Sequence, residues 1–240
     1  YPAEFACALL NSQPMGFYSP SQIVQDAQRH GVPALPIDAN RSTWDCSIES
    51  SSRESELPKL RLGLRLIAGL RRDHAEALAT SVTKDGAFES LDSLWGRELA
   101  ISKSTLRALA RADAFASLEL GRRPAHWNIH ALGAQPAPLD GLLTRRTSGH
   151  ESNLPKSSVQ RDMFDDYTTT GLSLRAHPMQ FVRSFLEQRG AIPAERCAPK
   201  YGARVGTQIS TAGIAITRQR PGTAKGVVFI TLEDETGTLN

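Results

Sequence analysis

The amino-acid sequence predicts an α+β protein: a region of short helices to about Leu132, a linker, and then an incomplete β-barrel sheet. Three observations carry this. Apolar residues recur at helical spacing behind serine caps between residues 19 and 118. The pattern dissolves into Pro, Gly, Ser and Thr from 133 to 158. Beyond 205, short runs rich in β-branched residues alternate with turn residues.

Residues 3–10 are apolar and alanine-rich and read as the end of a helix. Ser19-Pro20 opens another, with Ser as cap and Pro at the first helical position. Ile23, Val24 and Ala27 form its apolar face, and Gly31 ends it. Leu35 and Ile37 alternate across prolines as a short extended segment. The serine-rich stretch 47–56 reads as a loop. Leu60, Leu62 and Leu64 alternate with Arg61, Gly63 and Arg65, a strand period. Leu66 and Ile67 then lead to Gly69, with Ala75 and Leu78 following at helical spacing: helix, tight turn, helix. Phe88, Leu91, Leu94 and Trp95 form the next stripe, capped by Ser90. Ser102 caps a helix bearing Leu106, Leu109 and Ala110. A turn at Ala112-Asp113-Ala114 leads to Phe115 and Leu118.

After the linker, periodicity resumes at Met163. Pro178 starts a helix carrying Phe181, Val182, Phe185 and Leu186, ended by Gly190. Ile209, Ile214 and Ile216 lie in a β region, 220–223 is a turn, and 227–232 is a strand. Residues 234–237 turn the chain again into 238–240. A meander of this kind begins an OB-fold.

The chain has 240 residues, enough for one or two domains, and a net charge of +3 that by itself does not imply nucleic acid. It starts at Tyr1 rather than Met and stops at Asn240 within a predicted sheet, the expectation being a piece of a longer protein. Cys7, Cys46 and Cys197 include no CxxC pair, which removes zinc ribbons and redox dithiols. An odd cysteine count without a signal peptide favours the cytoplasm, and no apolar run is long enough for a membrane span.

The distribution of charge is more informative. Arg61, Arg65, Arg71 and Arg72 cluster, as do Arg218, Arg220 and Lys225. In the turn 67–71, Gly69 fits the first glycine of a helix-hairpin-helix turn and Leu70 its hydrophobic plug. Arg71 stands where a second glycine is usual. Such a turn aims backbone N–H groups at a DNA phosphate without reading sequence. Arg218, Arg220 and Lys225 are placed to flank a single strand on an OB-fold, with Phe229 a stacking partner or a core residue. His126 and His130 have zinc-like spacing but no following Glu and no third ligand, so no metal site is assigned. Glu233, Asp234 and Glu235 read as a solvated turn. No Walker loop, dinucleotide fingerprint or nucleophile elbow is present, and no catalytic residue is assigned.

Through residues 1–5, 8–12, 35–40, 60–70, 109–115, 166–178 and 218–226, nearly the whole chain resembles the C-family bacterial DNA polymerases. Residues 1–5 and 8–12 resemble their fingers region, and Leu35-Pro36-Ile37-Asp38-Ala39-Asn40 a further stretch of it. Residues 60–70 resemble the entry to a tandem helix-hairpin-helix domain, and 109–115 its second hairpin. Residues 166–178 and 218–226, continuing through 237, resemble the error-prone branch rather than the replicative alpha subunit.

The resemblance implies fingers to residue 56, tandem hairpins over 57–132, a linker over 133–160, connecting helices over 161–200 and the start of an OB-fold over 201–240. It implies DNA synthesis across damaged template in induced mutagenesis, by two-metal phosphoryl transfer in a palm upstream of Tyr1. Mg2+ is expected there and no cofactor in this segment, which alone should not polymerise. Expected partners are duplex DNA at the hairpins, single strands at the OB-fold, the sliding clamp and other mutagenesis proteins. Gln160, Met163 and Phe164 resemble a clamp-binding motif, an apolar pair behind a glutamine. The replicative subunit and a non-catalytic DNA-binding scaffold are the alternatives.

Overall fold

The computed structural model describes residues 1–16, 18–49, 58–133, 155, 157–197 and 206–240. The fold is α+β and divides into two compact units: residues 1–157 with 164–174, and residues 158–163 with 175–240.

The first unit opens with α1 (Pro2–Asn11) and α2 (Pro20–Arg29). Ser19 caps α2 in a full capping box with Gln22, and Gly31 follows the helix at φ +81°. A small sheet comes next, in the order β1 (Ala34–Leu35), β3 (Lys59–Arg61), β2 (Ser47–Glu49). The expectation of a loop from 47 is therefore corrected for residues 47–49, while 50–56 lie outside the described residues. Ser47, Ile48 and Glu49 pair antiparallel with Arg61, Leu60 and Lys59. Because this ladder joins residues before and after 56, the expected fingers boundary there does not separate two packed bodies.

The alternation at 60–65 also has a different meaning from the expected one. Arg61 is 6% exposed; its Nε donates to Glu49 Oε1 at 2.7 Å and its Nη1 to the Pro36 carbonyl at 2.6 Å. The Arg61 guanidinium holds the Glu49 carboxyl below its ordinary pKa. Arg65 donates to the carbonyls of Asn11 and Gln13 and pairs with Asp45 at 2.7 Å. Both arginines brace the scaffold. Beyond Arg61 the strand pattern stops, and residues 64–66 form one 3-10 turn.

Four helices follow: α3 (Arg72–Asp85), α4 (Leu91–Gly96), α5 (Lys103–Arg111) and α6 (Arg122–Ala131). Ser90 and Ser102 cap α4 and α5 as expected. Leu78, Leu94, Leu106, Leu109, Phe115 and Ile129 are fully buried in a core continuous with Leu10 and Leu60. The stretch Leu35–Asn40 is part of this scaffold: Asn40 exchanges two hydrogen bonds with the Phe88 backbone, and Asp38 accepts from Ser117 N–H. The linker at 133–158 lies almost wholly outside the described residues.

Helix α7 (Val159–Thr170) contains the division between the units, three residues past the linker end expected at 160. Its Asp166 pairs with Arg122, and Thr169 carbonyl accepts from Ala68 N–H at 2.8 Å.

In the second unit, residues 178–181 form a 3-10 turn ahead of the short α8 (Arg183–Glu187), in place of one continuous helix. Strands β4 (Ala191–Ile192) and β5 (Ser210–Thr211) pair in parallel. Strands β6 (Ile214–Gln219), β7 (Phe229–Asp234) and β8 (Gly237–Leu239) form the expected antiparallel meander. The acidic turn is not solvated. Asp234 is 1% exposed and Glu233 5%; Arg183 binds Asp234 at 2.8 Å and Glu235 at 2.5 Å, and His177 Nε2 lies 3.2 Å from Glu233. Among the described residues no helix is long and apolar enough to cross a membrane.

Candidate nucleic-acid interface

The first hairpin turn is built as its sequence required. Residues 64–66 end in Ile67, whose carbonyl accepts from Leu70 N–H at 3.1 Å. Gly69 adopts φ +78°, where a side chain is strained, although a Cβ there would touch nothing. Leu70 is buried as the plug. Arg71 is the N-cap of α3 with an extended backbone and no side-chain cap. The N–H groups of Arg71, Arg72 and Asp73 have no hydrogen-bond partner among the described residues and sit at an exposed helix start. Such a terminus carries partial positive charge and free donors.

Its side chains moderate that charge. Arg71 binds Asp73 through two hydrogen bonds, and Arg72 Nε donates to Glu76 at 2.7 Å. The Arg71 hydrogen bond, helped by His74 N–H, lowers the Asp73 carboxyl to about 2. Both guanidiniums are exposed, in contrast to Arg61 and Arg65, so the four-arginine cluster splits into two structural and two surface residues.

A second turn, with a left-handed residue, a buried aliphatic and a helix N-cap in the same order, lies at 97–102, ahead of the segment 109–115 that resembles the second hairpin. There Ala114 and Phe115 are fully buried, and the Ala114 carbonyl accepts from Ala39 N–H at 2.7 Å, so that segment serves the core. In the turn at 97–102 Ala100 takes φ +51°, Ile101 is buried, and Ser102 caps α5. Ala100-Ile101-Ser102 thus repeats Gly69-Leu70-Arg71 position for position. The Ser102 cap is legible in the sequence; alanine at the left-handed position conceals the turn before it. Arg97 knits this loop to α3, donating to Ser81 Oγ and the Gly86 carbonyl and lying 4.3 Å over the Phe88 ring.

The two helix starts are adjacent. His74 Nδ1, in the first turn of α3, lies 2.6 Å from Thr105 Oγ1, in the first turn of α5. Two sets of exposed backbone donors are thereby held side by side by a hydrogen bond between side chains.

In the second unit, Arg218, Arg220 and Lys225 are all exposed at the β6–β7 connection, with no ion-pair partner among the described residues. Gln219 pairs with Phe229 and Arg218 with Ile230. Since strand neighbours point to opposite faces, Phe229 lies on the face away from Arg218. The strand geometry therefore does not bring this aromatic together with Arg218.

Gln160 is exposed on α7, Met163 is fully buried and Phe164 is 60% exposed. Met163 and Phe164 do not form one exposed apolar pair. His126 and His130 lie on α6; burial, then Arg111, His130 and Arg107, lower the pKa of His126. Among the described residues no group of three or more His, Cys, Asp or Glu is placed to hold a metal ion.

Comparison with known proteins matches this geometry. Residues 31–125 fit the family model of the helix-hairpin-helix motif, a span that includes both turns. The whole chain is 44% identical over 252 residues to Error-prone DNA polymerase 1 of Agrobacterium fabrum, covering 23% of that protein. It is 41% identical over 250 residues to the error-prone DNA polymerase of Teredinibacter turnerae, covering 22%, and 42% identical over 261 residues to that of Caulobacter vibrioides, covering 24%. The chain thus spans less than a quarter of the length of these relatives.

Proposed function

This chain is related along its entire length to one segment of the error-prone DNA polymerases, and from that premise we propose that it is the part of such an enzyme that grips DNA. The tandem hairpins hold the duplex by its backbone, so that synthesis can proceed irrespective of sequence and across damaged template. The observation that carries this reading is the pairing of two uncapped or lightly capped helix starts through His74 and Thr105. Each offers N–H donors to a phosphate, a contact that carries no sequence information. Nucleotidyl transfer, which in this chemistry uses Mg2+, is assigned to the rest of the polymerase; the described residues form no ligand set for it, and no step is derived from them.

A contact with single strands is proposed for Arg218, Arg220 and Lys225, because these three cations are exposed and unpaired at one hairpin end. Arg220→Ala should weaken single-strand binding there.

Duplex binding by the full 240-residue chain tests the main reading. Fluorescence anisotropy with unrelated duplex sequences should give equal affinities that fall steeply with salt. Ser102→Glu with Ser104→Glu should weaken binding as much as Arg71→Glu with Arg72→Glu, since each puts carboxylates at one helix start. Binding indifferent to both double variants would refute the paired-hairpin reading.

A further inference from the structure

Helices α5 and α6 pack antiparallel, fastened at both ends. Lys103 Nζ hydrogen-bonds the Leu132 carbonyl, and Arg122 Nε donates to the Arg111 carbonyl at 2.8 Å. Over 103–111 and 122–131 they carry Lys103, Arg107, Arg111, Arg122 and Arg123, with no Asp or Glu at all. Positions 103, 107 and 111 recur every fourth residue and make one stripe on α5, successive members being about 6 Å apart along the axis. On α6, Arg123, Trp127 and His130 form a second stripe by the same spacing.

The two stripes adjoin. Fastened at 103 to 132 and at 111 to 122, the antiparallel pair sets Arg107 level with Trp127. The carboxylates that α7 brings to this end, Asp165 and Asp166, both pair with the buried Arg122. Arg107 and Arg111 have no ion-pair partner among the described residues. Arg123 donates to the Pro155 carbonyl at 2.9 Å, a bond that leaves its charge uncompensated. Beside these cations Trp127 is 56% exposed. A large indole left in water on an otherwise amphipathic helix contributes little to this fold; α6 buries Ala125 and Ile129 instead.

We propose that the α5–α6 face is a second nucleic-acid contact: a track for a single strand, whose phosphates lie along Arg107, Arg111 and Arg123 and one of whose bases stacks on Trp127. A cationic groove beside an aromatic platform is the chemistry that binds single strands without sequence preference. Duplex DNA keeps its bases stacked inside and offers Trp127 no free face. The contact runs from Arg107 on, beyond the first turn of α5, and uses none of the N–H donors of the two hairpin turns.

The test uses the full chain and a twelve-residue oligothymidylate. Binding should quench tryptophan fluorescence, and Trp127→Ala should abolish the quench, because Trp95 is buried and Trp44 half-buried against the core while Trp127 is exposed. In a chain also carrying Arg220→Ala, to remove the second unit's contribution, Trp127→Ala should weaken oligothymidylate binding about tenfold. Trp127→Phe should restore most of it. Arg107→Gln with Arg111→Gln should lower the salt slope by about 1.4. Duplex affinity should be unchanged by Trp127→Ala, and Arg71→Glu with Arg72→Glu should spare the oligothymidylate. Melting temperatures equal to the parent's confirm that these surface variants fold. Unchanged single-strand affinity in Trp127→Ala overturns the proposal. So does an equal loss for duplex and single strand, which would make this face part of the hairpin site.

Discussion

Replacing Arg71 and Arg72 together with alanine isolates the charge at the first hairpin from its backbone donors. The start of α3 holds two cations and two carboxylates in adjacent ion pairs, so its net side-chain charge is zero. For Arg71 and Arg72 themselves to meet a phosphate seated at the N–H groups of Arg71, Arg72 and Asp73, they must leave Asp73 and Glu76. Each arginine that then neutralises a phosphate releases a counterion, worth about 0.9 in the slope of log K against log salt. Losing both should flatten the slope by about 1.8. Across the decade from 1 M, where the term vanishes, to 0.1 M, that amounts to a loss on the order of 50-fold. The complementary variant, Asp73→Asn with Glu76→Gln, frees both guanidiniums and should tighten binding severalfold while keeping the slope steep. Anisotropy with a short duplex between 50 and 300 mM NaCl (roughly the range where the slope is measurable) gives both quantities. Parallel salt plots for the parent and the double alanine variant would show that these arginines never meet phosphate. Weaker binding by the Asp73, Glu76 variant would show instead that the ion pairs aim the arginines.

Other consequences are structural. A Cβ at Gly63 would meet Asp45 C at 2.4 Å, Cys46 N at 2.5 Å and Trp44 O at 2.6 Å, all backbone, so Gly63→Ala should cost about 3 kcal/mol or more in urea unfolding; a loss under ~1 kcal/mol would contradict this packing. Arg122→Ala leaves the Asp166 carboxylate without its buried partner and should destabilise the first unit by about 3 kcal/mol, with Asp166→Asn recovering part of the loss. At Asp234, burial pushes the carboxyl up, but hydrogen bonds from the Thr236 hydroxyl and the N–H groups of Ala194, Thr236 and Gly237 outweigh it, and the net pKa is below 3.8. A depressed folded pKa means the stabilisation is complete above 3.8 and disappears as pH falls through the lower folded value. Amide exchange around β7 should therefore accelerate in acid, and Asp234→Asn should remove that dependence; a rise in protection with acid would contradict the sign.

What the sequence disclosed follows physical locality. Ser19, Ser90 and Ser102 cap helices through bonds that span three residues, so their meaning is present in the local string. Strand β2 was missed because Ser47 and Glu49 gain their conformation from Arg61 and Lys59, which lie beyond a polar stretch. Charge alone does not reveal burial: Arg61 needed Glu49 and the Pro36 carbonyl to enter the core. The acidic turn at Glu233 was misjudged for the same reason, its partners His177 and Arg183 being about fifty residues away. In the interface, Gly69 was legible because glycine marks positive φ, whereas Ala100 adopts the same backbone without the marker.

The bond between His74 and Thr105 gives the two hairpins the logic of a bivalent ligand. With the spacing between their helix starts fixed, a backbone seated on one is presented to the other as an intramolecular partner. The effective concentration for the second contact is then set by a rigid span, with no linker to order. Two individually weak, sequence-blind grips can add up to a long-lived hold, because a contact that lets go is returned to its site by the one that remains. Neither grip need be strong alone for the pair to hold a backbone.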